Sequence, residues 1–274
     1  TGPMKNWEHY RTGSGTPSWT TNTPWVSSKN LIRSVEISDG ITTIGDHAFA
    51  LSYNLQNVSF GNSIEIIGRS AFHSARLGDI VIPATVKEIG INTFSGEYNS
   101  RNNISSVTFE EGSQLEKLGD GAFFANSQLT EIALPNNEIL IDINAFGKTG
   151  LTSFVMPENA TWANSIFQQT INGIVTVYCT QTHIDSGKCS YSYFNRSYST
   201  QTDIKHYERD GDHFNVYDSN GNIIAKYADF IDFGTENYYK PKEKRTHYTI
   251  PEALEAIKNK PEGQKLNTIK FTFK

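Results

Sequence analysis

Six copies of one short pattern run through the first two thirds of this 274-residue chain, and they leave few folds open to it. The copies read Ile44-Gly45-Asp46-His47-Ala48-Phe49, Ile67-Gly68-Arg69-Ser70-Ala71-Phe72, Ile89-Gly90-Ile91-Asn92-Thr93-Phe94, Leu118-Gly119-Asp120-Gly121-Ala122-Phe123, Ile141-Asp142-Ile143-Asn144-Ala145-Phe146 and a worn Trp162-Ala163-Asn164-Ser165-Ile166-Phe167. Their closing phenylalanines are spaced 23, 22, 29, 23 and 21 residues apart. A period in this range marks a stacked-repeat solenoid, in which no unit buries its apolar face alone and each neighbour covers the next.

Ahead of each copy stands a stretch with apolar residues at its first, fourth and sixth places. Examples are Leu55, Val58, Phe60 and Leu77, Ile80, Ile82, with Leu151, Phe154, Met156 in the last. The final two apolar places flank an outward residue, which is strand behaviour with one face buried. Each repeat therefore supplies one short strand, and strands stacked about 4.8 Å apart build a parallel sheet. In the Gly-x-x-Ala-Phe element the glycine permits a bend with positive φ, the alanine lets coils approach, and the phenylalanines stack as an internal column. Thr93 in place of alanine and Asp142 in place of glycine weaken single turns.

The run 77–94, with Pro83 and Val86 in place, shows the order Leu-x-x-Ile-x-Ile-Pro followed by Val-x-x-Ile-Gly-x-x-Ala-Phe, with Thr93 at the alanine. It resembles the BspA-like class of leucine-rich repeats, over roughly residues 31–178. The resemblance implies an α/β-type leucine-rich repeat solenoid with a parallel sheet on one face. It also implies a secreted or surface-attached bacterial protein, of a class in which several members are implicated in adhesion to host or matrix proteins.

Composition fits that expectation without adding to it. Hydrophobic content is 37% and mean hydropathy −0.46, ordinary for a solenoid of high surface-to-volume ratio. No run of 18 apolar residues exists, so no segment is expected to insert in a membrane. No signal peptide is read at the start, and the polar Thr1-Gly2-Pro3-Met4-Lys5 reads as a cloning remnant. A net charge of −5 argues against nucleic acid as partner, and the basic cluster Lys240-Pro241-Lys242-Glu243-Lys244-Arg245 reads as a solvated linker. Cys179 and Cys189 lack the companions for a metal site; they are either a disulfide clipping the solenoid end or two isolated thiols.

Four segments follow: an N-terminal cap over 1–30, the solenoid over 31–178, a boundary or C-terminal cap over 179–205, and a small C-terminal α+β domain over 206–274. Trp19 and Trp25 are placed to form a lid on the first coil, and 174–178 adds a seventh rung. Tyr191, Tyr193 and Phe194 fall in a Ser/Tyr alternation that reads as a strand. It either packs on the solenoid end or offers rings to sugars. Within the last segment 214–217 and 223–227 flank an Asn220-Gly221 turn, the pattern of a hairpin. Thr249 caps a helix over 249–258, and 266–273 alternates as a closing strand. Asp218, Asn220 and Asn222 miss the calcium-loop spacing.

A search for catalysis finds no nucleophile elbow, phosphate loop or His-Glu-x-x-His motif. His47 and His73 take different places in their repeats and read as separate surface residues. Asp210, Asp212 and His213 lie together without evident partners. No cofactor or metal is expected. The candidate contact residues are instead the outward ones of the strand face: Asn57, Ser59, Asp79, Val81, Ser106, Thr108 and Glu131, continued by Ala133, Ser153 and Val155. The long loop 95–103 adds Tyr98 and Arg101, since insertions in repeat arrays carry contacts. The leading expectation is a non-enzymatic extracellular or cell-surface interaction module binding a host or matrix protein. The alternatives are glycan capture through Tyr191, Tyr193 and tryptophans stacking on sugars, and an enzyme activity in the C-terminal domain.

Overall fold

The computed structural model describes residues 2–12, 18–96, 104–171, 173–194, 201–210, 213–218 and 220–227. The chain divides into two compact units, 1–236 and 237–274. The basic cluster, the helix over 249–258 and the strand over 266–273 all lie outside the described residues.

Every repeat but the fifth contributes two strands, against the one expected. The continuous sheet has seven parallel strands: Gly2–Pro3, Ile41–Ile44, Ile66–Ile67, Glu88–Ile89, Lys117–Leu118, Leu140–Ile141 and Thr161–Trp162. Six of these immediately precede the Gly-x-x-Ala-Phe element or its variants, and most are only two residues long. The longer strands expected from the Leu-x-x-Ile-x-Ile half pair in separate pieces: Ser34–Glu36 with Asn57–Ser59, Asp79–Ile82 with Ser106–Phe109, and Ser153–Val155 with Ile174–Cys179. In the fifth repeat, residues 129–134 form no strand. Between the second and third repeats the contact from Gly78 N to Gln56 O is stretched to 3.5 Å, and the second ribbon is interrupted there.

The recurring glycines Gly45, Gly68, Gly90 and Gly119 do not bend the chain through positive φ. They let backbone lie on backbone. A Cβ on Gly68 would sit 2.7 Å from the Ile44 carbonyl oxygen, and one on Gly119 would sit 2.7 Å from the Gly90 carbonyl carbon. The left-handed residues come two places later, at His47, Ser70, Asn92, Gly121, Asn144 and Ser165, with a second set at Leu51, Ser74, Ala125, Lys148 and Gln169. Each costs an L-residue roughly 1–2 kcal/mol. The alternation turns amide groups toward the next coil: Asn92 N donates to Asp120 O at 2.8 Å, Phe94 N to Ala122 O at 2.9 Å and Gly96 N to Phe124 O at 2.8 Å. The turns are thereby a third hydrogen-bonded ladder, offsetting the strain at about 1 kcal/mol per bond.

Inside, the phenylalanines stack as expected. Ring centroids are 5.4 Å apart for Phe49–Phe72, 5.5 Å for Phe72–Phe94 and Phe94–Phe123, 6.0 Å for Phe123–Phe146 and 6.1 Å for Phe146–Phe167. Thr93, expected to weaken its turn, is hydrogen-bonded within it: its buried hydroxyl lies 2.9 Å from both the Gly68 and the Gly90 carbonyls, one on each of two adjacent coils. Asn126 makes a similar clip, donating from Nδ2 to the Phe94 and Phe123 carbonyls. Asp142 leaves the ladder intact, since its amide still donates to Leu118 O at 2.9 Å.

Trp25 closes the column at the start, stacking on Phe49 at 5.4 Å and donating from Nε1 to Ala48 O. The side chain of Trp19 lies outside the described residues; Trp7 instead meets Trp25 edge-on at 5.7 Å. The opening segment packs as part of the fold. Gly2–Pro3 pairs with the first coil, Met4 N and Trp7 N donate to Thr43 O and Asp46 O, and the Lys5 carbonyl packs against Gly45.

At the other end Cys179 and Cys189 form a disulfide that encloses α1, Gln181–Asp185, whose first turn is capped by Thr180. The Ser/Tyr alternation is a helix, α2, Tyr191–Phe194, and not a strand. Phe194 is buried against Trp162 and Phe167, and the Tyr193 hydroxyl donates to Trp162 O. Ile174–Cys179 supplies the seventh rung. Gln201–Asp210 joins it in parallel, and His213–Tyr217 and Ile223–Tyr227 then follow as the antiparallel hairpin. Position 206, where the repeat grammar ends, lies inside Gln201–Asp210, so the sheet runs on through it. A second apolar cluster gathers Val155, Tyr178, Tyr207, Phe214, Val216 and Tyr227.

Candidate interaction face

The pieces of the Leu-x-x-Ile-x-Ile ribbon point their intervening residues outward. Asn57, Ser59, Asp79, Val81, Thr108 and Glu131 are exposed, and Ser106 and Ala133 are half-buried. Parallel register sets Asp79 beside Ser106 and Val81 beside Thr108. Ser105 Oγ donates to Asp79 Oδ1 at 2.7 Å, which fixes that carboxylate on the face. Ser153 and Val155 are not on this face: both are buried, Val155 within the second apolar cluster. Tyr98 and Arg101 lie outside the described residues. At one margin Gln56, Asn57, Arg76 and Gly78 line a shallow depression of about 430 Å³, which places a guanidinium beside the row.

A second outward row was not anticipated, because two-residue strands carry no alternation to read. The continuous ribbon aligns Thr43, Ile66, Glu88, Lys117, Leu140 and Thr161 rung by rung. Lys117 Nζ meets Glu88 at 2.9 Å, and beside the row Lys87 Nζ meets Glu65 at 3.0 Å. These exposed pairs are worth at most about 1 kcal/mol each. Ile66 and Leu140 remain part-exposed between the charges.

The titratable groups are more clustered than their sequence positions indicate. His47 and His73 do not stand apart, because the N-terminal hairpin brings His9 between them: ring centroids are 5.2 Å from His9 to His47 and 6.3 Å from His9 to His73. His183 is buried edge-on to Trp162, and burial holds its imidazole below the ordinary value. Asp210 pairs in register with His213, and its carboxylate accepts from Asn215 Nδ2; Asp212 lies outside the described residues. Asp218 Oδ1 accepts from the amides of Asn220 and Asn222 and is spent on the hairpin turn. Among the described residues, no group of three or more His, Cys, Asp or Glu could hold a metal ion, and no helix is long and apolar enough to cross a membrane.

Repeated coils, stacked phenylalanines and an outward strand row define a leucine-rich repeat protein. The family description "BspA type Leucine rich repeat region" matches six copies over residues 27–111 and 98–174, more than half of the sequence, and the chain belongs to that family. Among solved structures it is similar to a leucine-rich repeat protein of Bacteroides ovatus, at 15% identity and TM-score 0.38, covering 74% of this chain and 76% of that one. It is also similar to the pneumococcal vaccine antigen PcpA, at 16% identity and TM-score 0.26, covering 63% and 67%. A leucine-rich cell surface protein of Faecalibacterium prausnitzii matches at 17% identity and TM-score 0.31, and this chain, 80% covered, spans about half of it, 52%. No curated protein matches the chain.

Proposed function

We propose that the chain is a non-enzymatic, extracellular or cell-surface module of adhesion type that binds a host or matrix protein on the outward row of its strand ribbon. The observation that carries this reading is the row itself: Asn57, Ser59, Val81, Ser106 and Thr108 are short and uncharged, and they stand on coils tied together by hydrogen bonds. Short side chains let another polypeptide come close to the ribbon, and a rigid support keeps the ordering cost of binding low. Asp79, Glu131 and Arg76 supply charge at intervals for orientation. The disulfide supports an oxidising compartment. Family membership supports a role in protein interaction. The aromatic platform for sugars has less in its favour, because the Tyr193 hydroxyl is engaged by Trp162 and Phe194 is part of the end cap.

The test is binding of the wild-type chain and a Val81→Arg, Thr108→Arg double variant to a panel of purified extracellular matrix proteins and a glycan array. Both positions are exposed, so the variant keeps its fold. A protein ligand whose affinity falls by about tenfold or more, about 1.4 kcal/mol, in the variant supports the reading. Equal affinity, or binding confined to glycans, overturns it.

A further inference from the structure

The cluster of His9, His47 and His73 joins the N-terminal hairpin to the first two coils. His9 opens the hairpin strand His9–Thr12, which pairs with Ser18–Thr21; His47 and His73 sit on the turns of the first and second coils. The hairpin is closed at its base by Asn22, whose amide donates to the Glu8 carbonyl and whose side chain holds the Glu8 carboxylate. Thr21, opposite His9 in register, is buried.

The charged groups around the cluster are mostly cationic. Lys29, from the short helix Val26–Leu31, acts on His9, and Arg69, from the second coil, acts on His47. Asp46 opposes them and acts on His47 more strongly than Arg69 does; its Oδ1 also accepts from the Arg69 amide at 2.8 Å. His73 Nδ1 lies 2.7 Å from Ser95 Oγ of the third coil. Imidazoles this close, with a lysine and an arginine in attendance, are compatible while neutral and repel once they take up protons.

We propose that His9, His47 and His73 form an acid-sensitive latch, which seats the N-terminal hairpin on the first two coils at neutral pH and releases it as the imidazoles become charged. Burial, then Lys29, holds His9 below the ordinary imidazole value of 6.5; burial, then the neighbouring His9, holds His47 below it against the opposing carboxylate of Asp46. The released hairpin therefore binds protons more readily than the seated one. Seating is at full strength above that value and is lost as pH falls through the lower values of the seated state. The stacked phenylalanine column has no ionisable group and does not share the dependence.

Hydrogen exchange of the full chain between pH 8 and 5, corrected for the intrinsic rate, tests the latch. Backbone amides of 9–12 and 18–21 are expected to lose protection by roughly threefold or more on acidification while those of the third to fifth coils do not. His47→Asn is the informative variant, because the same place holds Asn92 and Asn144 in sister coils with the same left-handed backbone. Combined with His9→Gln it should abolish the step. A hairpin whose protection tracks the coils, or a step that persists in the double variant, overturns the proposal. Histidine titration by NMR on the wild type is independent of any variant: midpoints of His9 and His47 below 6.5 agree with the latch, and midpoints at or above it refute it.

Discussion

Phe123→Ala probes the stacked column at its middle. Phe123 has no exposed surface, and its ring is flanked by Phe94 at 5.5 Å and Phe146 at 6.0 Å, near-parallel to both. Truncation of a buried phenylalanine costs about 3–5 kcal/mol, and an aromatic pair contributes about 0.5–1.5 kcal/mol beyond area. Two pairs are lost here and the neighbouring coils, tied by Phe123 N to Ala145 O and Phe94 N to Ala122 O, cannot collapse onto the gap. The expected loss is at the upper end, about 4–5 kcal/mol, read from the midpoint and slope of urea unfolding. Phe49→Ala is the control: Phe49 keeps 7% exposure and lies under the Trp25 lid, which can resettle, so its loss should be smaller. A Phe123→Ala loss below about 2 kcal/mol, or one no larger than that of Phe49→Ala, would refute the reasoning.

Ala125→Gly should stabilise the chain by about 0.5–1 kcal/mol in denaturant unfolding, because relief of the left-handed φ of 62° exceeds the added entropy of the unfolded chain; a loss of stability counts against it. Thr93→Val should cost about 1–2 kcal/mol by the same measurement, since it removes the hydroxyl shared by two buried carbonyls; a neutral result would mean the hydroxyl is incidental. Reduction of Cys179–Cys189 opens a loop of sequence separation 10 and should lower stability by about 3 kcal/mol on the chain-entropy model, with protection lost first in α1 and α2; unchanged exchange there would contradict the capping role.

The phenylalanine column, the seventh rung and the Asn-Gly hairpin could be read from the sequence because each rests on a local period or a two-residue turn signal. The continuous ribbon could not, since strands such as Glu88–Ile89 are too short to alternate. The role of the glycines is hidden for a related reason: a residue that needs no Cβ because another coil lies against it looks the same in sequence as one that needs positive φ. Asn92 and Asn144, residue types that tolerate the left-handed region, carried the better signal for the bend. On the candidate face, the exposure of Asn57, Ser59, Asp79, Val81, Thr108 and Glu131 follows from alternation, but the burial of Val155 depends on aromatic residues as far along the chain as Tyr227. The histidine cluster is likewise non-local, because His9 reaches the coils only through the docked hairpin.

The most direct measurement is a nuclear Overhauser spectrum of the chain labelled only at phenylalanine. The account predicts ring-to-ring contacts linking Phe72 with Phe94, Phe94 with Phe123 and Phe123 with Phe146, in one unbroken series. Rings that show no mutual contacts, or that exchange magnetisation with water, would contradict the stacked coils and with them the rigid row on which binding is proposed.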